Sequence, residues 1–264
     1  MAQEVFGHNS YNLAITCALI VGSMVTVWNG VRFGASAFRL IVFDVILGMV
    51  AVLGAKAYAV MERGDYSSPL LDFTRELRYP GGLIALVIAA PILARALRPG
   101  LSLLRFGDAA APGVAIGFSI VRVGCFLAGC CFGVPSNLPW AVSFPTPSPA
   151  LDEQIRVGIV NSHAVKSIPV HPFQLYSAAS SALVGMWLLR RNPGKPGEAL
   201  MLFLFVHEGA RFLLEFVRAP VRGHAHLDLK LISLSLSLVG AAVLLRYGWQ
   251  AYGREREEES QAMG

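Results

Sequence analysis

Charge is scarce in this chain: of 264 residues only 15% are Asp, Glu, Lys or Arg, against 55% hydrophobic. Soluble domains carry nearer a quarter charged residues, so this composition and a mean hydropathy of +0.55 exclude an ordinary water-solvated fold and point to a bilayer as solvent. A basic stripe is lacking too. The net charge of +5 comes from Lys and Arg scattered between apolar runs, which excludes a nucleic-acid partner and leaves them as topology signals. No cleavable leader is expected, because MAQEVFGHNS has an acid where a basic region belongs and the first apolar run lacks a small-residue cleavage site. Cysteine is rare: Cys17 stands alone in the first apolar run, and Cys125, Cys130 and Cys131 cluster later without any C-x-x-C pair. That pattern excludes a secreted disulfide framework. Internal repeats are absent, and the one biased tract is the charged tail around REREEES, expected to fray.

Long apolar runs are what the chain does have. A helix needs about 20 mostly apolar residues to cross a bilayer, and seven candidates occur, near Tyr11 to Trp28, Arg39 to Val60, Gly81 to Leu97, Ala109 to Cys131, Pro172 to Leu189, Glu198 to Val217 and Leu227 to Tyr247. Turn-forming stretches separate them: NGVRFGAS, RGDYSSP, RPGLSLLRFGD, a long segment from Val134 to Pro169, RRNPGKPG and RAPVRGHAH. The expected fold is all-α: one polytopic membrane domain over residues 1–264, with a small periplasmic head from residues 134–170 and a cytoplasmic charged tail at 250–264. Orientation follows the basic residues, which cytoplasmic loops retain. An outside amino terminus puts eleven near the inner span ends, Arg105, Arg190, Arg191 and Lys195 among them, against eight outside, so amino terminus out and carboxyl terminus in is expected. The segment from Glu62 to Pro80 would then join the head.

Ionisable residues inside spans are expensive and mark partners, cavities or sites. In the second span Asp44 and Lys56 are about 18 Å apart along the axis and cannot pair, and Lys56 is expected to snorkel to the interface. In the sixth, His207, Arg211, Glu215 and Arg218 recur at spacings of four, four and three, a narrow polar stripe with Glu208 at its edge. One reading is a ladder of internal ion pairs, Glu208 with Arg211 and Arg211 with Glu215, that staples the bundle. The other is an anion site using the surplus positive charge. The fourth span ends in SIVRVGCFLAGCCFGVPSNLPW, where Arg122 stands among Gly124, Gly129 and Gly133, glycines that let a backbone, helix or lipid approach. Its cysteines read as small apolar fillers. A metal site drawing on Cys125, Cys130, Cys131, His171 and His207 is the alternative, disfavoured because adjacent cysteines on a helix point about 100° apart; no metal and no cofactor are expected. VHPFQLYSA opens the fifth span with His171, Gln174 and Tyr176 at its boundary. On the expected topology these three polar features meet in the outer half of the membrane.

Taken in order, these segments resemble the prolipoprotein diacylglyceryl transferase family. VRVGCFLAGCCFGVPSNLPWAVSFP is similar to that family's signature in Arg122, Gly124, Phe126, Gly129, Gly133, Pro139, Trp140, Phe144 and Pro145; VHPFQLYS keeps His171, Pro172, Gln174, Leu175 and Tyr176; GARFLLEFVRAP keeps Arg211, Phe212, Glu215, Phe216, Arg218 and Pro220. A weaker likeness is YPGGLIA with Gly81 and Gly82. The chain departs where Pro80 replaces a histidine, Cys125 an asparagine, Cys130 a glutamate, His207 a tyrosine and Ser177 an acid.

The resemblance implies an inner-membrane enzyme that moves a diacylglyceryl group from phosphatidylglycerol to the lipobox cysteine thiol of a prolipoprotein, with those two molecules and membrane lipids as partners. Arg122, His171, His207, Arg211 and Glu215 would be catalytic; Gly81, Gly82, Cys125, Gly129, Gly133, Gln174, Tyr176 and Arg218 would bind substrate. A related lipid transferase with another acceptor, or a non-catalytic lipid- or metal-binding membrane protein, is the alternative.

Overall fold

The computed structural model describes residues 4–5, 8–63, 78–220 and 226–263. Its architecture is helical. Two two-residue strands, β1 (Glu4–Val5) and β2 (His8–Asn9), pair antiparallel before the first helix, a small β element that the all-α expectation omits. Eight helices follow among the described residues: α1 (Ser10–Arg32), α2 (Ala37–Arg63), α3 (Tyr79–Leu97), α4 (Leu103–Ala128), α5 (Pro149–Arg156), α6 (Phe173–Leu189), α7 (Glu198–Leu214) and α8 (His226–Met263). Each of the seven apolar runs has become a helix. By length and composition five of these can cross a membrane: those spanning Ser10–Arg32, Ala37–Glu62, Pro80–Leu97, Leu103–Ala128 and Lys230–Gln250. Their outward faces carry exposed Ile20, Met24, Ile41, Val45, Val87, Ile88, Leu238 and Val239, side chains a lipid solvent accepts.

Local chemistry corrects several expected boundaries. The RPGLSLLRFGD stretch is only partly a break: Ser102 caps α4 by accepting from the Arg105 N–H at 3.3 Å, so the helix starts at Leu103, two turns earlier than expected. The same helix stops at Ala128, where Gly129 takes a left-handed cap conformation (φ 70°). Cys130 and Cys131 therefore lie beyond the helix. Helix α7 likewise ends at Leu214, so Arg218 is not on its stripe but in the extended chain after it. Helix α8 continues through the tail to Met263; Glu, Arg, Gln and Ala there are good helix formers.

Helix α4 is the central post, packed against α1, α6 and α7, while α2 pairs with α3 and α7 with α8. Small residues set the close approach of α1 and α4: a Cβ at Gly113 would overlap the Gly22 carbonyl and the Thr26 hydroxyl, and one at Gly124 would overlap Ala14. Apolar clusters fill the remaining seams, one around Ala115, Val184, Leu188 and Phe203, another around Leu40, Phe43 and Phe106.

The segment after Val134 is a folded cap. Ser148 accepts from the Leu151 N–H and Pro149 sits in the first turn, which starts α5. Phe144, Ala150 and Val170 bury their side chains with Phe132 and Ala219. Ser167 and Gln154 tie the ends down, accepting from the N–H groups of Phe144 at 2.9 Å and Ile168 at 2.8 Å. Most of the Glu62 to Pro80 segment, the other expected part of a head, lies outside the described residues.

Asp108 was not among the expected in-span charges, yet it is fully buried. Its carboxylate accepts from the N–H groups of Gly197 at 2.8 Å and Leu200 at 3.1 Å, capping α7 from a neighbouring helix. Arg105 lies 3.6 Å from the same carboxylate and donates to the carbonyls of Pro193 and Gly194. Lys195 donates to the Tyr247 carbonyl at 2.9 Å. Two of the basic residues read as topology signals thus also fasten one end of the bundle. Lys56, expected to snorkel, is wholly buried. Asp108→Ala should lower stability in detergent by about 2 kcal/mol, since it leaves buried helix N–H groups without acceptors. Asp108→Asn, which keeps one acceptor oxygen, should lose less; thermal unfolding of the two variants beside the parent checks the order.

Candidate functional site

Three stretches of chain cross where α4 ends, α6 begins and α7 ends. The Gly133 N–H donates to the His171 carbonyl at 3.0 Å, the His171 N–H to Val134 at 3.0 Å, the Val134 N–H to Val217 at 2.9 Å and the Ala219 N–H to Phe132 at 3.1 Å. Gly133 lies in the middle of this crossing. A Cβ there would lie 2.6 Å from both the Cβ and carbonyl oxygen of His171 and 2.9 Å from the Val217 carbonyl oxygen. Only glycine fits without moving backbone. Gly129 meets Ser148 and Phe144, and Gly124 meets α1. All three glycines are thus approached by protein.

Beside the crossing, three guanidinium groups gather around two phenylalanine rings. Arg122 lies 4.7 Å from the Phe118 ring centre and 5.6 Å from that of Phe173; Arg211 is 5.3 Å from Phe118, and Arg218 is 5.6 Å from Phe173. Cation–π attraction offsets part of the cost of drawing these charges out of water. Arg122 and Arg211 are buried. Glu215 takes a hydrogen bond from Arg218 Nη1 at 2.9 Å and also faces Arg122. Glu208 faces Arg211 and accepts from the Ser233 hydroxyl at 2.9 Å. The expected Glu208–Arg211 proximity is therefore present, and the Glu215–Arg218 pair adds a link the ladder did not include. Among the described residues three guanidinium groups gather with two carboxylates, and Arg122 Nε is buried with no hydrogen-bond partner. Such a site suits an anion with several acceptor oxygens.

The histidines occupy different environments. His207 is buried, stacked on Phe203 with ring centres 4.6 Å apart and edge-on to Phe118; its Nε2 is 3.0 Å from the Ser181 hydroxyl and its Nδ1 3.3 Å from Glu208. Both ring nitrogens are engaged. His171 is half-buried, its Nδ1 3.3 Å from the Tyr176 hydroxyl, which accepts from Trp140 Nε1 at 2.7 Å. Gln174 is fully buried and donates to the Cys130 carbonyl at 2.6 Å, holding α6 against the turn after α4. Gly81 and Gly82 sit elsewhere, against α2, where side chains would meet Gly54, Tyr58 and Ala51.

At the end of α4, with Cys125 in its last turn and Cys130 and Cys131 just beyond it, the three sulfurs lie within 4.8 Å of one another, so helical divergence does not keep them apart. Arg218 Nη2 donates to the Cys131 sulfur at 3.5 Å. The charges of Arg218 and Arg122 both face the Cys131 sulfur. Tyr11, at the start of α1, faces the same cysteines and Arg122. It went unnoticed in the sequence because a tyrosine at a span end reads as an interfacial anchor.

Residues 4–246 match the family model for prolipoprotein diacylglyceryl transferase. The chain belongs to this family. It is 24% identical over 252 residues to phosphatidylglycerol–prolipoprotein diacylglyceryl transferase 2 of Clostridium perfringens, an alignment covering 92% of each chain. The phosphatidylglycerol–prolipoprotein diacylglyceryl transferase of Idiomarina loihiensis is 32% identical over 202 residues, 72% of this chain and 66% of that one. That of Methylococcus capsulatus is 34% identical over 190 residues, 68% of this chain and 64% of its own. The family match thus reaches back through α1 to α3, where the motifs alone gave little purchase.

Gly133→Ala should disturb the crossing on which the transferase-family residues converge. Forcing a methyl against fixed backbone costs about 1–3 kcal/mol, and His171 must move to make room. Reduced thermal stability together with loss of lipid turnover is expected; normal values for both would show that the crossing tolerates a side chain.

Proposed function

We propose that this chain transfers the diacylglyceryl group of phosphatidylglycerol to the thiol of a prolipoprotein lipobox cysteine, releasing glycerol phosphate. The observation that carries the reading is the gathering of the Arg122, Arg211 and Arg218 guanidinium groups around Phe118 and Phe173, with Arg122 Nε buried and without a hydrogen-bond partner among the described residues, because a phosphodiester lipid headgroup is an anion with several acceptor oxygens. Family membership and the relatives' names supply the reaction class.

In this reaction the acceptor sulfur bonds to the glycerol carbon, the bond from that carbon to the phosphate oxygen breaks, and the thiol proton goes to a base. As the bond breaks, the phosphate passes from a diester to a monoester and gains negative charge. Guanidinium groups already in position stabilise that gain without reorganising. Arg122 and Arg211 are the proposed clamp, with Arg218 fixed by Glu215. Between the two histidines, His171 suits the base: its ring is half-buried, whereas His207 is caged by Phe203, Phe118, Ser181 and Glu208. His207 then acts by holding Glu208 opposite Arg211. Gln174 and Tyr176 position the turn that carries His171, and Gly129 and Gly133 allow the head to close on it. Cys125 lines the arginine side. Gly81 and Gly82 contribute by seating α3 on α2.

The test is direct. Purified protein in proteoliposomes receives labelled phosphatidylglycerol and a lipobox peptide, and label on the peptide is expected. Lysine offers a point charge where a planar guanidinium makes two parallel hydrogen bonds, so Arg122→Lys and Arg211→Lys should each cost roughly a hundredfold in rate. Arg156→Lys, on the exposed end of α5 beside Glu153, should be nearly silent. Near-normal turnover in the first two variants would reduce the arginines to structural staples. Release of glycerol phosphate without labelled peptide would instead favour a different acceptor.

Seven crossings complete the proposed placement in a bacterial inner membrane. Helices α6 and α7 have 17 residues each, about 26 Å at the usual rise, close to the hydrocarbon thickness of about 30 Å. With the amino terminus outside, the 134–170 segment forms a periplasmic head and the 250–264 tail is cytoplasmic. Reporters fused after Lys195 and Gly264 should read cytoplasmic, and one inserted between Thr146 and Ser167 periplasmic. The opposite pattern would put the site at the inner leaflet, away from exported prolipoproteins.

A further inference from the structure

The transfer reaction needs no thiol from the chain itself, yet three of the four cysteines cluster. Cys125 is buried in the last turn of α4, and Cys130 and Cys131 follow the Gly129 cap. Sulfurs bound to one ion at about 2.3 Å stand about 4 Å apart, so a trio within 4.8 Å is near ligand spacing. Two further features set it apart from three chance fillers. Cys131 holds a left-handed backbone conformation, φ 54°, which costs a non-glycine residue energy and keeps its sulfur beside the other two. Positive charge is also in place: Arg218 donates to the Cys131 sulfur, and Arg122 interacts electrostatically with all three cysteines.

We propose that Cys125, Cys130 and Cys131 form a trigonal thiolate site for a soft monovalent ion, Cu(I). Thiolates select soft ions. Zinc prefers four protein ligands in a structural site, and no fourth Cys, His, Asp or Glu joins this group among the described residues. On binding, the thiols give up three protons to the solvent buffer and the complex of three thiolates with one monovalent ion carries two negative charges, which Arg122 and Arg218 face. No electron is transferred. The inference does not rest on the transferase reading, and its test uses no lipid substrate.

Protein purified anaerobically in detergent with reductant and without chelator is titrated with Cu(I) against bicinchoninate. One ion per chain is expected, with three sulfur neighbours at about 2.3 Å by X-ray absorption. Cys125→Ser, Cys130→Ser and Cys131→Ser should each weaken binding by more than about a hundredfold, beyond what loss of an outer-shell partner does. Cys17→Ser, in α1 and outside the trio, should change nothing. Cys125→Asn restores the residue usual in the family and gives a second variant, expected to unfold at the parent's temperature yet lose the ion. Failure of the parent chain to take Cu(I) from the competitor, retention of copper by a folded variant lacking one of the three, or preferred four-coordinate binding of Zn(II) would overturn the proposal.

Discussion

Burying guanidinium groups in an apolar bundle is costly, and much of this structure is arranged around that cost. An isolated charge taken from water into hydrocarbon loses several kcal/mol unless something compensates it. Here compensation comes in layers. Phe118 and Phe173 offer ring faces to three arginines, Glu215 and Glu208 supply opposite charge, and His207, Ser181 and Ser233 hold Glu208 in turn. Because these groups come from α4, α6, α7, α8 and the chain after α7, the helices must meet at one place for any arginine to be tolerated. The charge cluster therefore fixes the arrangement of that half of the bundle as well as whatever chemistry it performs.

Backbone geometry delivers the meeting. A helix running on past Ala128 would carry Cys130 and Cys131 away from Cys125, and one running past Leu214 would turn Arg218 off the cluster. The left-handed cap at Gly129 and the extended pairing of Gly133 with Arg218 stop both. At the opposite end Asp108 performs a similar service, capping α7 across the gap between helices. Both ends of α7 are thus anchored to α4, which keeps Arg211 and Arg122 on the shared ring of Phe118.

Much of this was legible in the sequence because hydrophobic runs in a membrane protein are long and helical backbone is obligatory there. All seven runs became helices, and the residues of three motifs far apart in sequence came together. Helix ends were less legible. Whether LSLLRFGD continues a helix depends on Ser102 reaching one amide, and whether Cys130 stays helical depends on one glycine conformation. Apolar periodicity reports neither. Lys56 and Asp108 show a second limit: a charge near a span end reads alike whether it snorkels or is buried, and the groups that Asp108 caps are on another helix. Cys125, Cys130 and Cys131 show a third, since their proximity exists only because the helix ends between them.

The positions at which this chain departs from its family's pattern are not scattered among the arginines. Arg122, Arg211, Glu215 and Arg218 all stand. Cys125 and Cys130 fall together in the sulfur cluster beside them, and His207 lies on the far side with Ser181 and Glu208. Pro80 opens α3 in the pair that α3 makes with α2. A physical asymmetry accounts for this division. Holding a phosphate in a low-dielectric site demands planar donors at fixed distances, and a substitution there leaves a buried charge without compensation. Taking a proton demands only a group of suitable pKa within reach of the acceptor, and a histidine can answer that from more than one place. On the proposed function, the frame that would bind the anion is therefore the part least free to vary, while the groups around it can be exchanged one for another without emptying the site of its charge.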